Sequence, residues 1–312
     1  MQNYINRAIE QEVLKFSKQF PAVAITGSRQ VGKTTLLNYI KNIAQEKINY
    51  VSLDNLIVRD LAINDPELFL ETYPYPLIID EFQYAPNLFS YIKIKIDQRR
   101  MEEVFSGKDF STMYYLTGSQ SFVSMKILTE SLAGRIGIID LYGLSTREIY
   151  KMKNHLFIPE INDLKKEKIS KLTVQQLYER IFQGSFPELY KNKDISIDKF
   201  YQSYVTTYIE RDIRDLAKVN DEVKFMKFMV SIAARTGQEL NINEIANDVE
   251  ISNPTANDWL SILVNTGLVI LIEPYTSNII KRVVKRPKLY FMDTGLACYL
   301  TRYPNSTVLE SS

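Results

Sequence analysis

Short apolar runs alternate with helical stretches over the first 150 residues. The runs are Ala22 to Thr26, Ile48 to Leu53, Leu77 to Asp80, Met113 to Thr117 and Ile136 to Leu141. Strands this continuously apolar belong to a parallel sheet covered on both faces. Helical spacing begins between them at Lys33, Asp65, Asn87 and Phe122. The pattern therefore predicts an α/β domain over residues 1–150.

Beyond residue 150 the pattern changes. Tyr150 to Lys171 is charged and aperiodic, which reads as a connector, and Leu172 to Tyr190 and Ile195 to Val219 then show helical spacing. Together, 151–220 are expected to form a connector and helical lid. Lys224 to Arg235 reads as a helix closed by Gly237. Asn241 and Glu244 give an N-cap signature before Ile245, and Asn253 is placed to cap a helix opened by Pro254 and stopped by Gly267. Leu268 to Ile272 and Leu289 to Met292 would pair as a hairpin. Three helices followed by a hairpin predict a winged helix-turn-helix over 221–300, with 301–312 left as a tail.

Composition narrows the function classes. Of 312 residues 45% are hydrophobic and 24% charged, as in ordinary globular chains, so disordered and fibrous classes drop out. The 38 Lys and Arg nearly balance 37 Asp and Glu, so a polyanionic partner would need a local basic patch. Cys298 is alone and His155 is the only histidine, which excludes an internal disulfide and the usual zinc sites. The longest uninterrupted aliphatic run, Leu268 to Ile272, is far short of the roughly 20 residues of a membrane span. A soluble cytoplasmic protein is expected.

The chemistry lies at the end of the first strand. Gly27, Gly32, Lys33 and Thr34 satisfy G-x-x-x-x-G-K-[ST]. The glycines let successive N–H groups turn toward phosphate oxygens, at the positive end of the helix that Lys33 begins. Lys33 would reach the β and γ phosphates of ATP, and Thr34 would offer its hydroxyl to Mg²⁺. In PLIIDEFQ an aliphatic strand ends in Asp80 and Glu81. A carboxylate leaving a buried strand needs a cation or donors. Asp80 would complete the Mg²⁺ shell and Glu81 would activate the attacking water.

A second carboxylate favours hydrolysis, in a P-loop architecture with an extra strand between the P-loop strand and the Asp80 strand. MYYLTGSQ, residues 113–120, supplies that strand. At its end Ser119, or Thr117, would sense the γ-phosphate. Arg29 within the loop and Arg135 in SLAGR are the basic residues for transition-state charge; Arg135 reads as an arginine finger, in cis or from a neighbouring copy, or, as its spacing alone favours, as a surface or salt-bridged arginine.

ITGSRQVGKTTLL, SLDN, NDPELFL, LIIDEFQYAPNLFSYIKIKID, YYLTGSQ, SLAGR and LSTREI resemble prokaryotic AAA-type ATPases of the AAA+ superfamily. The resemblance continues through FQGSFPELY, YIERDIRDL and PKLYFMDTGLACYL and covers nearly the whole chain. It implies a P-loop core, a winged-helix segment and a restriction-endonuclease-like C-terminal region. It also implies ATP contacts at Gly27, Ser28, Arg29, Gln30, Val31, Gly32, Lys33, Thr34 and Thr35, Mg²⁺ at Thr34 and Asp80, water activation by Glu81 and a sensor around Ser119. Such proteins continue well past MDTGLACYL whereas this chain stops at Ser312, so it is expected to be truncated or split, without the nuclease-like region.

For the winged helix, Asn253, Thr255 and Asn257 would face base edges of duplex DNA, and Lys281, Arg282, Lys285, Arg286 and Lys288 its phosphates. Against this, the presumed recognition helix has no Lys or Arg and carries Asp258. Two readings stand. One is a Mg²⁺-dependent ATPase coupled to DNA or a DNA-associated partner; the other is a nucleotide-switched interaction module with little turnover. A homo-oligomer is compatible with either.

Overall fold

The computed structural model describes residues 4–106, 112–118, 122–152, 160–165, 172–192, 194–207, 221–275 and 285–312. Ser119, Lys281 and Arg282 lie outside them, as does the YIERDIRDL segment. The chain divides into two compact units. Asn6–Tyr142 form the first, and 143–312 with residues 1–5 form the second.

In the first unit the strands are β1 (Ala22–Thr26), β2 (Asn49–Ser52), β3 (Leu77–Asp80), β4 (Tyr114–Thr117) and β5 (Ile136–Asp140). They pair in the order β2-β3-β4-β1-β5, all parallel. The expected extra strand is present, because β4 lies between β1 and β3. Every residue of β1, β3 and β4 is buried. The helices are α1 (Glu10–Phe16), α2 (Lys33–Ile43), α3 (Leu56–Asn64), α4 (Pro66–Thr72), α5 (Leu88–Ser106) and α6 (Phe122–Ser131). Phe69 of α4, Phe89, Ile92 and Ile96 of α5, and Leu128 of α6 form one core with Ala22, Ala24, Leu77, Ile79 and Leu116. Alternate strand residues point to opposite faces, and Val23, Ile25 and Ile78 are equally buried. Both faces are therefore covered, as the continuous apolar runs required.

The apolar pattern alone does not reveal α1 and α3. Helix α3 exposes Leu56 and Ile57, so its hydrophobic spacing is poor. Its start is fixed instead by the Asn55 side chain, which accepts from the N–H groups of Ile57 and Val58 at 3.0 and 3.4 Å.

The second unit is mostly helical: α7 (Thr146–Ile149), α8 (Ile161–Leu164), α9 (Val174–Gln183), α10 (Glu188–Lys191) and α11 (Ile197–Tyr204). Then follow α12 (Glu222–Ala234), α13 (Ile242–Val249), α14 (Asn253–Asn265), strands β6 (Val269–Ile272) and β7 (Lys288–Phe291), α15 (Thr294–Leu300) and α16 (Ser306–Ser311). Strands β6 and β7 pair antiparallel. Trp259 of α14 lies edge-on to Phe225 and Phe228 of α12, with ring centroids 5.1 and 5.6 Å apart. These rings join α12 to α14, while α13 packs on both, and Ile245, Ala246 and Leu263 are all buried.

Three expectations need correction. Ser252 rather than Asn253 caps α14, accepting from the Thr255 N–H at 3.2 Å. Asn253 becomes the first helical residue, and Pro254 stays in the first turn, where its missing N–H would have no intrahelical partner. Asn241 precedes α13 as expected, but its amide donates to Glu244 Oε2 at 3.1 Å and caps no backbone group. Residues 301–312 are not a plain tail. The Asn305 side chain accepts from the Val308 N–H at 2.9 Å and starts α16, which packs on α9.

Candidate nucleotide site

Parallel strands deliver their C-terminal ends to one edge of the sheet, and β1, β3 and β4 each bring a polar terminus there. After β1 the chain turns through Gly27 at φ 137°. A Cβ on Gly27 would lie 2.1 Å from the Leu141 carbonyl oxygen, so both conformation and space demand glycine. Gly32, at φ 95°, then leads into α2. Ser28, Arg29, Gln30 and Val31 make the loop between them, with Val31 buried and Gln30 exposed, and Thr35 faces solvent in the first turn of α2.

Lys33 is buried, and its ammonium donates to the carbonyls of Gly27 and Ser28 at 2.9 and 2.8 Å. Those bonds hold the cation inside the loop's own curve. Thr34 Oγ1 lies 3.2 and 3.0 Å from the two Asp80 carboxylate oxygens, bringing together the two residues expected at Mg²⁺. Asp80 also accepts from Tyr50 Oη at 2.8 Å and from the Glu81 N–H at 3.1 Å. Burial pushes the Asp80 carboxyl above its ordinary range, against the lowering effect of the bonds from Tyr50 and Thr34. Glu81 is raised as well, again by burial first, with the Gln83 hydrogen bond opposing it. A carboxylate raised toward neutrality is better matched to taking a proton from water.

The donor set fits Mg²⁺. It is all oxygen, and a buried anion stands against a hydroxyl, as a hard cation requires. Among the described residues no group of three or more His, Cys, Asp or Glu could hold a metal by itself. Mg²⁺ is usually held by one or two protein oxygens together with substrate phosphates, which is what Thr34 and Asp80 would offer.

Residues 19–150 match the family model described as an AAA domain. This segment is an AAA-type P-loop ATPase domain. Residues 174–307 match a second family, described as a domain of unknown function (DUF8612). An uncharacterized protein of Mycobacterium tuberculosis is 27% identical over 293 residues, which is 93% of this chain and 58% of its own length. Another from Methanocaldococcus jannaschii is 26% identical over 298 residues, 86% of this chain and 60% of its own. The chain thus spans less than two thirds of these relatives. Among solved structures, the Walker-type ATPase of Pyrococcus abyssi is similar in fold, with a TM-score of 0.54 at 13% identity over 96% of each chain.

Within this domain three further side chains, none of them given a role by the sequence, meet the residues of the site. Arg7 is buried and donates to the Val31 carbonyl at 2.7 Å and the Tyr142 carbonyl at 2.6 Å, tying the P-loop to the second residue after β5. Its own N–H donates to Glu10 Oε1 at 2.6 Å. Tyr50 reaches Asp80 from the neighbouring strand. Gln83 donates to the Glu81 carboxylate. Arg7 is 24 residues from Val31 in sequence and Tyr50 30 from Asp80, so only folding brings them together. Gln83 is the exception, two residues after Glu81 in the DEFQ motif.

Arg135 does not reach this site within its own chain. Its carbonyl accepts from the Ala22 N–H, at the start of β1, whereas the P-loop follows the end of that strand. Four residues at about 3.3 Å each separate the two levels by roughly 13 Å. Its guanidinium instead forms a bidentate pair with Asp97 on α5, at 2.7 and 3.0 Å. The arginine finger in cis is therefore corrected to an ion pair at the far end of the sheet. Thr117, the second choice for the sensor, ends β4 beside Asp80 in register, fully buried, and its hydroxyl has no hydrogen-bond partner among the described residues.

In the second unit Asn253 and Asn257 are exposed on α14, with the Asn257 amide donating to the Asn253 carbonyl at 2.9 Å. The Thr255 hydroxyl is 2.8 Å from that of Ser252. Lys285, Arg286 and Lys288 are exposed, the last of them on β7. Among the described residues no helix is long and apolar enough to cross a membrane.

Proposed function

We propose that the P-loop unit binds Mg²⁺-ATP and hydrolyses it, and that the second unit couples this cycle to duplex DNA or a DNA-associated partner. The observation that supports hydrolysis is the convergence of Thr34, Asp80 and Glu81 beside the loop that Lys33 fills. Lys33 would leave the Gly27 and Ser28 carbonyls for the β and γ phosphate oxygens, while the loop's N–H groups hold the same anion. Thr34 and Asp80 would hold Mg²⁺, which when bound neutralises charge between the β and γ phosphates. Glu81 takes a proton from the attacking water, whose oxygen bonds to the γ-phosphorus as the bond to the bridging oxygen breaks. The products are ADP and phosphate.

The DNA side of the proposal rests on helices α12 to α14, which pack with α13 against each of the other two and precede the β6–β7 pair, the order of a winged helix-turn-helix. Exposed Lys285, Arg286 and Lys288 suit phosphate contact, with Asn253, Thr255 and Asn257 on the candidate recognition helix. Asp258 is exposed on the same helix and sets a limit to duplex affinity there. A role for Arg135 would be in trans, in a homo-oligomer, and would need its release from Asp97.

The test is ATP turnover with Mg²⁺ for the wild type, Lys33→Ala and Glu81→Gln, each with and without duplex DNA. Turnover that needs both residues and rises with duplex is expected. Tight ATP binding with no turnover in any condition would replace the enzyme with a nucleotide-switched module. Unchanged turnover and duplex binding after reversing the charges of Lys285 and Arg286 would remove the DNA coupling.

A further inference from the structure

Glu81 has a left-handed backbone, with φ 57° and ψ 45°, which turns the chain sharply between β3 and a single 3-10 turn at Phe82–Tyr84. A non-glycine residue rarely sits there, and such strain gathers at functional sites. The turn folds Gln83 back on its neighbour, so that Gln83 Nε2 donates to Glu81 Oε2. One carboxylate oxygen is thereby fixed and the other is left to receive a proton. An amide suits this task because it donates a hydrogen bond and does not itself titrate near neutrality.

The other end of the amide points to β4. Gln83 Oε1 is buried with no hydrogen-bond partner among the described residues. It lies 2.2 Å from where a Cβ on Gly118 would stand. Phe82 carbons lie 3.2 Å from the same point. Gly118 directly follows Thr117 at the tip of β4. Its φ is not positive, so an added methyl there would strain no backbone but would have to push the Gln83 amide aside. The DEFQ and LTGSQ motifs are thus two halves of one arrangement: the glycine of the second makes room for the glutamine of the first.

We infer that Gln83 is the positioning residue that aims the Glu81 carboxylate at the attacking water and ties it to the tip of β4, in the space that Gly118 leaves open. A buried carbonyl oxygen without a partner is costly, and a water's O–H beside Glu81 would satisfy it while Nε2 holds the base. The inference rests on the hydrolytic role proposed for Glu81. Gln83 acts through Glu81 and touches no reacting phosphate.

The experiment measures steady-state ATP turnover, affinity for a fluorescent ATP analogue and thermal unfolding of the full chain for Gln83→Ala, Gly118→Ala, Glu81→Gln and the Gln83→Ala/Glu81→Gln pair. Misaiming a general base by about an ångström costs on the order of 100-fold, so Gln83→Ala is expected to lower kcat about 10- to 100-fold. KM, analogue affinity and Tm should stay near wild type. Gly118→Ala, which displaces the amide, should reproduce the kcat loss. The paired variant should be no slower than Glu81→Gln alone, because the two residues act as one unit. Wild-type kcat in Gln83→Ala alongside an impaired Glu81→Gln overturns the inference, as does multiplicative loss in the pair. Wild-type turnover in Glu81→Gln instead sinks the hydrolytic role of that residue and takes the inference with it.

Discussion

Among the described residues each unit buries one aspartate, and the two are held in opposite ways. Asp293, at the start of α15, accepts from the Ser185 N–H and hydroxyl at 2.6 and 2.7 Å, from Tyr201 Oη at 2.7 Å and from the Leu296 N–H at 2.7 Å. Four donors saturate its lone pairs, two of them rigid backbone groups. Asp80 accepts from the hydroxyls of Thr34 and Tyr50 and from a single backbone N–H. Hydroxyls rotate, so this carboxylate can exchange partners for a cation. A buried acid with a full, fixed shell locks segments together, while one with a rotatable shell can serve chemistry. The FQGSFPELY and MDTGLACYL motifs accordingly converge on a structural node: Asp293 joins the Gln183–Ser185 turn, α11 and α15.

Substitution at the two aspartates sharpens that contrast. The largest effect expected is on turnover from Asp80→Asn, a loss of roughly 100- to 1,000-fold from weakened charge stabilisation at the phosphates. Its Tm in metal-free buffer should be unchanged or slightly raised, because a buried charge disappears. A large fall in Tm would place Asp80 beside Asp293 as a structural acid. Asp293→Ala should do the reverse. It strands the Ser185 and Leu296 N–H groups and the Tyr201 hydroxyl and is expected to destabilise by about 3 kcal/mol in urea unfolding. The surviving fold should bind the ATP analogue as the wild type does.

Gly27→Ala tests the cradle itself. The new methyl meets the Leu141 carbonyl, so analogue affinity should fall at least tenfold; wild-type affinity would mean that the loop shifts freely. The smallest effect belongs to the far end of the sheet. Hydrogen bonding from Arg135 holds the Asp97 carboxyl below its ordinary range. An acid whose folded value is depressed contributes stability above its unfolded value and loses it as pH falls through the folded one. Asp97→Asn should therefore cost about 0.2–1 kcal/mol at pH 7 and almost nothing once the pH has fallen through the depressed folded value of Asp97, and turnover should not change. Turnover that rises when Arg135 is released in this way would return it to the nucleotide site through a neighbouring copy.

The sequence by itself determined the sheet and the core of the site. Continuous apolar runs read as strands buried on both faces, which holds for β1, β3 and β4, and the β3 limits, Leu77 and Asp80, were legible to the residue. Glycine, lysine and threonine at fixed spacing, and two acids at a strand end, are local patterns because one loop and one strand end supply them. Tertiary structure decided everything that crosses between segments. Arg135 looked like a finger by motif, but the parallel register placed it at the wrong end of β1. Arg7 and Tyr50 carry no motif, and their roles exist only because the chain returns to the P-loop and because β2 lies beside β3. The α14 cap moved by one residue because Ser252 and Asn253 can both accept from a helix's first N–H groups, and only backbone geometry chooses between them. Asp293 and Asp80 are the same residue type at the end of an apolar strand. Which of them is saturated and which can receive a cation depends on donors from distant segments, and packing alone assembles those.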